Sequence, residues 1–170
     1  IKEELKIIMF DFNFSLKQIK KIFLCKINLF PPKKTDILIF DKVGSEIILD
    51  TIPRNKTCSI LDLRYESLNL FILLKTLKHI TNLKRNYIIE YIKFVSPKMV
   101  ITTIDTNPLF FKLKKKFSFT KFISIQNGLI QNNFLKSEKK KNLKVDYILC
   151  FNNFFKYFYS NKINAKVIPI

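Results

Sequence analysis

Glycine is nearly absent. The 170 residues contain two, Gly44 and Gly128, where an average chain of this length would carry about twelve. Tryptophan is missing, His79 is the single histidine, and three of the 31 basic residues are arginine, which leaves 28 lysines. Acidic residues number 13, for a formal net charge of +18. Each scarcity excludes something. Two glycines this far apart cannot build the GxGxxG turn of a dinucleotide site. One histidine cannot anchor a multi-histidine metal centre, and Cys25, Cys58 and Cys150 lack zinc spacing, so neither a metal nor a cofactor is expected. Three widely spaced cysteines make no disulfide scaffold and fit a reducing, cytoplasmic compartment. No apolar run reaches the ~18 residues of a membrane-spanning helix. The opening Ile1-Lys2-Glu3-Glu4 lacks a signal-peptide layout and reads as a piece of a longer chain.

What is present is apolar and basic. Hydrophobic residues make up 48% of the chain, too many for intrinsic disorder. Lysine, isoleucine, asparagine and phenylalanine dominate, the profile of an A+T-rich coding sequence. Part of the charge and of the glycine scarcity is therefore compositional. A glycine that persists under such bias marks a place where only glycine fits.

Residues 1–35 form a lead-in: a strand within Leu5–Phe14, a helix over Leu16–Phe30, and a break at Pro31-Pro32. Residues 36–170 alternate regularly and suit one domain. Strands are expected at 36–41, 58–63, 98–105, 121–125, 146–151 and 165–170. Helices are expected from Ser45 as cap through about Thr51, then over 69–79, 82–95, 108–117 and 153–160. Residues 131–144 read as a solvated, lysine-rich loop. Uniformly apolar strands such as Ile37-Leu38-Ile39-Phe40 signal burial on both faces. Strands alternating with helices then predict a Rossmann-like α/β three-layer sandwich with a mainly parallel sheet.

In such sheets ligands bind beyond the carboxyl ends of the strands, which selects four segments. Asp41-Lys42-Val43-Gly44-Ser45-Glu46 puts a glycine at a strand-to-helix turn, where backbone can approach an anion; a plain turn with a serine cap is the competing reading. Asp105-Thr106-Asn107-Pro108 offers groups for sugar hydroxyls, or an Asx turn and helix cap. Gln126-Asn127-Gly128 interrupts an apolar strand end with amides suited to a hydroxylated or phosphorylated ligand, or is a tight turn. Arg64 has the fork geometry for phosphate or carboxylate, or pairs with an acid such as Glu66. The lysine clusters at 112–116 and 136–144 lack interleaved arginine. A solvated face is the plainer reading, attraction to an anionic membrane surface comes next, and nucleic acid is the weakest.

The succession DILIFDKVGSEII, CSILDLRYESLNLFILLKTL, SPKMVITTIDTNPLFFKLKKKF, KFISIQNGL, DYILCFNNFFKYF and KVIPI resembles the N-terminal half of bacterial surface-carbohydrate biosynthesis proteins. These are glycosyltransferases of the GT-B type, similar in layout to CDP-glycerol glycerophosphotransferases. The resemblance spans about 36–170. It implies the first half of a GT-B fold, receiving a glycan or lipid-linked acceptor. The nucleotide-linked donor would bind a C-terminal domain beyond Ile170, so this stretch alone would be inactive. It implies that Gly44 and Ser45 shape the cleft floor, that Asp105 and Asn107 meet acceptor hydroxyls with Asp105 as base, and that Gln126, Asn127 and Gly128 line the interdomain edge. Asn127 stands where related enzymes carry histidine, and an amide takes up no proton at neutral pH. The alternatives from other classes are a non-catalytic α/β module for a phosphorylated or nucleotide ligand, and a basic nucleic-acid-binding protein.

Overall fold

A computed structural model describes residues 25–64, 67–77, 82–129 and 143–170. The chain divides into two compact units, Ile1–Lys33 with Asp62–Val95, and Lys34–Leu61 with Ser96–Ile170. Residues 62–95, which the alternation of strands and helices places inside one domain 36–170, thus group with the N-terminal residues instead.

In the first unit, β1 (Lys26–Asn28) pairs in parallel with β4 (Ser67–Asn69). This corrects the helix expected to continue to Phe30; the strand expected within Leu5–Phe14 lies outside the described residues, as does the first part of that helix. Helices α2 (Leu70–Thr76) and α3 (Leu83–Val95) follow. Asn69 organises their start. Its side chain accepts the Ile72 N–H at 3.1 Å and donates to the Phe30 carbonyl at 2.8 Å, while its backbone N–H donates to the Tyr87 hydroxyl at 2.9 Å. One asparagine thereby caps α2 and ties β4 to α3 and to the segment after β1.

The second unit carries the sheet. Its strands are β2 (Ile37–Phe40), β3 (Cys58–Leu61), β5 (Met99–Thr102), β6 (Lys121–Ile125), β7 (Lys144–Cys150) and β8 (Asn164–Pro169). All neighbours are parallel and the order is β3-β2-β5-β6-β7-β8. Its helices are α1 (Ser45–Thr51), α4 (Pro108–Leu113) and α5 (Asn153–Lys162). The uniformly apolar β2 is buried along its whole length, as its composition requires. One face of the sheet, with Ile37, Ile39 and Ile101, packs on Ile48 of α1. The opposite face presents Phe40 and Phe122, whose rings meet Phe110 of α4 at 5.1 and 5.2 Å. The unit is a Rossmann-like, three-layer α/β sandwich.

The amino edge of the sheet is laced by Asp36. Its carboxylate pairs with Lys98 at 2.9 Å and accepts the Thr57 hydroxyl at 3.0 Å. The Lys98 hydrogen bond and those from Thr57 hold the carboxyl at about 2. A second charge, in the 112–116 lysine cluster, departs from the expected solvated face. Lys114 begins a 3-10 turn (Lys114–Lys116) at the end of α4 and is buried. Its ammonium lies 3.0 Å from Asp146 and donates to the carbonyls of Ser118 and Thr120 at 3.1 and 2.8 Å. Asp146 also accepts the Phe122 N–H at 2.8 Å. Lys115 and Lys116 alone keep the exposed role. In the 131–144 segment, Lys144 opens β7 rather than closing a loop, and residues 131–142 lie outside the described residues.

Removing one partner of a buried ion pair costs about 3–5 kcal/mol, and without Lys114 the Asp146 carboxylate keeps only the exposed Lys121 at 3.8 Å and the Phe122 N–H. Lys114→Met should therefore lower unfolding free energy by about that amount in urea titrations. The exposed Lys115→Met should change it by less than about 0.5 kcal/mol.

Candidate functional site at the carboxyl edge of the sheet

The chain runs from β2 outward to β3, then returns to the other side of β2 as β5. The strand order therefore reverses between β2 and β5, and the loops leaving these two strands diverge at the place where open α/β sheets bind ligands.

The loop after β2 is tightly wound. Asp41 is buried with φ 88°, a left-handed conformation rare outside glycine, and its carboxylate accepts the Val43 N–H at 3.2 Å. Gly44 follows with φ 70° and is the N-cap of α1. Ser45 is not the cap that the sequence suggests: it is the first helical residue, buried, and no side-chain hydrogen bond caps this helix. From the β5 side, Thr103 donates its hydroxyl to the Val43 carbonyl at 2.7 Å, and Thr102 donates to the Phe40 carbonyl at 3.0 Å. A Cβ on Gly44 would stand 2.6 Å from the Thr103 oxygen. Gly44 is thus required twice, by its backbone angle and by this approach.

Asp105, past the end of β5, is 4% exposed. Its carboxylate accepts a hydrogen bond from the Tyr159 hydroxyl of α5 and another from the Asn127 backbone N–H after β6. Burial raises the Asp105 carboxyl above its ordinary range, and the hydrogen bonds from Tyr159, from its own backbone N–H and from Asn127 only partly oppose this. Burial and the Asp105 carboxylate together push the Tyr159 hydroxyl strongly upward. Asn107 takes the cap role: its side chain accepts the Leu109 N–H at 3.0 Å, at the start of α4.

Gln126 is a strut. It is buried, accepts the Phe151 N–H at 3.1 Å through Oε1 and donates Nε2 to the Gly128 carbonyl at 2.9 Å. Asn127 and Gly128 are exposed. Unlike Gly44, Gly128 has no left-handed backbone angle, and a Cβ there would meet nothing within 4 Å. The expectation that both glycines are required therefore holds for Gly44 and is corrected for Gly128. Arg64 is exposed in the other unit, where its backbone N–H donates to Asp62 at 2.8 Å.

The carboxyl edge of the sheet thus brings together Gly44, Ser45, Asp105, Asn107, Gln126, Asn127 and Gly128. Tyr159 and Thr103 belong with them and were missed. Tyr159 stands four residues after Phe155, and both are buried on the inner side of α5. The Thr102-Thr103 pair ending an apolar strand was a visible signal that polar groups are needed there. Ser124, on β6, is the buried side chain left without a hydrogen-bond partner among the described residues. No group of three metal-ligating side chains and no helix long and apolar enough to cross a membrane occurs among the described residues. Compared with family models, with curated proteins and with solved structures, the chain finds no match in any of the three.

Two outcomes follow from this geometry. Gly44→Ala should cost about 1–2 kcal/mol from its left-handed angle alone, plus the clash. Thr103→Ala by itself loses the bond to the Val43 carbonyl; measured in that background, Gly44→Ala should cost less than in the unaltered chain by the clash alone, and Gly128→Ala should be neutral in the same denaturation experiment. Tyr159→Phe removes a bond to a buried carboxylate and should cost about 1–3 kcal/mol at pH 7. A raised folded-state pKa means that protonating Asp105 favours the fold as pH falls toward the ordinary value of 3.8. The Tyr159→Phe penalty should therefore shrink on acidification, which stability curves at pH 7 and pH 4 would measure.

Proposed function

We propose that the chain is the acceptor-side half of a GT-B glycosyltransferase-like enzyme of surface-polysaccharide synthesis. It would transfer a sugar or polyol phosphate from a nucleotide-linked donor held by a further domain. The observation that carries this reading is the reversal of strand order between β2 and β5, with a backbone-rich turn at Gly44 and a buried acid, Asp105, on the loops that leave it. Gly44, Ser45, Asp105, Asn107, Gln126, Asn127 and Gly128, to which the resemblance gives roles, lie on the loops of this one edge. Gly44 and Ser45 would form the floor, with the exposed Asn127 and Gly128 turned to the acceptor.

In an inverting transfer, a base takes the proton of the acceptor hydroxyl as its oxygen attacks the donor carbon or phosphorus, and the bond from that atom to the phosphate oxygen of the nucleotide breaks, so that the nucleotide leaves with the electron pair. Asp105 can do this once an acceptor hydroxyl replaces the Tyr159 hydroxyl on its carboxylate. A carboxyl raised by burial is suited to holding that proton. A second reading, a non-catalytic module for a phosphorylated or nucleotide ligand, is favoured by the same contact, since Asp105 is already satisfied by Tyr159 and Asn127.

The complete gene product, assayed with nucleotide sugars and CDP-alcohols, should transfer or hydrolyse at least one donor. Asp105→Asn should abolish turnover while leaving donor binding intact. Neither binding nor turnover with any donor would overturn the transferase reading. Strong thermal stabilisation of the 170-residue chain by nucleotide alone would favour the module.

A further inference from the structure

The proposed reaction needs the Asp105 carboxylate open to an acceptor, and the fold holds it closed. Asp105 is buried, and three donors meet its carboxylate: the Tyr159 hydroxyl, the Asn127 backbone N–H and its own backbone N–H. Of these, the Tyr159 hydroxyl reaches it from another layer of the fold, on α5.

The two sides of this contact differ in freedom. Tyr159 has no exposed surface. It stands one turn after the buried Phe155, its ring lies edge-on to Phe158 at 5.7 Å, and its carbonyl accepts the Ile163 N–H at 2.8 Å. Asp105 instead sits in a short turn between two anchors. Before it, the Ile104 N–H donates to the Thr102 hydroxyl at 3.0 Å; after it, Asn107 caps α4. Between these anchors Asp105 and Thr106 form the turn, and Thr106 is exposed. The backbone at Asp105 therefore lies next to solvent while its side chain is folded inward. Rotation about the Cα–Cβ bond turns the carboxylate outward and leaves β5 and α4 in place. The enclosed phenol cannot follow it.

The Tyr159 hydroxyl is also a chemical likeness of the group that Asp105 would deprotonate. It donates to the carboxylate as an acceptor hydroxyl would. Burial and the adjacent carboxylate push its ionisation strongly upward, so it keeps its proton at neutral pH. It competes for the base without reacting.

We propose that the Tyr159–Asp105 contact is an autoinhibitory latch, which keeps the carboxylate turned inward until an acceptor hydroxyl takes it over at the surface of the 105–106 turn. The latch rests on the reading of Asp105 as the base, but its opening can be measured without turnover.

The test couples carboxyl groups of the chain to glycine ethyl ester with a carbodiimide and reads each site by peptide mass spectrometry. Asp105 should react slowly. Tyr159→Phe keeps the ring and removes the hydroxyl, and should speed coupling at Asp105 about tenfold or more, with Asp41 and Asp146 unchanged. Tyr159→3-fluorotyrosine, a stronger donor that preserves the packing, should slow it, and this arm remains decisive if Tyr159→Phe does not fold. Faster coupling at all three carboxyls together would mean a loosened fold and would overturn the latch, as would an Asp105 rate that neither change alters. In the complete gene product, with a donor that it turns over, Tyr159→Phe should lower the acceptor KM about tenfold and leave the donor KM unchanged. Turnover with acceptor KM and Asp105 coupling both unmoved would sink the latch and leave the transferase reading standing. Selective coupling at Asp105 without turnover of any donor would keep the latch and sink the transferase reading.

Discussion

The second unit depends on the parallel pairing of β2 on both of its edges. Ile37–Phe40 is apolar at every position, so neither face of the strand can meet water, and its backbone groups need partners on each side. β3 and β5 supply them in parallel register, Ile37 standing opposite both Cys58 and Met99. Parallel partners require crossovers, and crossovers place helices over the sheet. Ile48 on one face and Phe110 on the other then close the core above and below. The same arrangement puts every strand's carboxyl end on one edge, so polar side chains distant in sequence become neighbours.

At that edge, polar groups are spent on joining loops to one another. Thr103 closes the loop after β2, Gln126 fastens the turn after β6 to the end of β7, and Asp105 links the loop after β5 to α5 and to Asn127. Each bond satisfies a buried donor or acceptor that would otherwise cost about 1–3 kcal/mol. Organising an edge for a ligand and stabilising it internally use the same residue types. That is why Asp105 and Gln126 read equally well as binding groups and as struts from sequence. Lys114 makes the same point away from the edge. A lysine run signals solvent, yet three carbonyl groups and Asp146 give one of its members a buried place.

Much of this was legible from local pattern. Continuous apolar runs ended by polar residues located the strands of the sheet, because burial on both faces leaves no other composition. Asn107 before Pro108 and the stop at Ser96-Pro97 located helix ends, because caps and prolines act within a few residues. Three features were not legible. The pairing of Lys26–Asn28 with Ser67–Asn69 joins short segments 41 positions apart in register and leaves no periodicity to read. The contact of Asp105 with Tyr159 spans 54 residues. The difference between the two glycines depends on what lies opposite each of them.

The sequence by itself determined an α/β chain with a parallel sheet, since the spacing of apolar residues controls which faces must be buried. It also placed the polar segments at the strand ends. Tertiary structure alone decided the strand order, and with it that Gly44 faces Thr103 while Gly128 faces open space. It likewise decided that Asp105 is enclosed while Phe154 and Tyr157 remain in solvent. The physical reason is the range of the interactions. Hydrophobic periodicity and capping are read from neighbouring residues, whereas burial, close approach and the shift of a carboxyl's ionisation depend on groups that only the folded chain brings together.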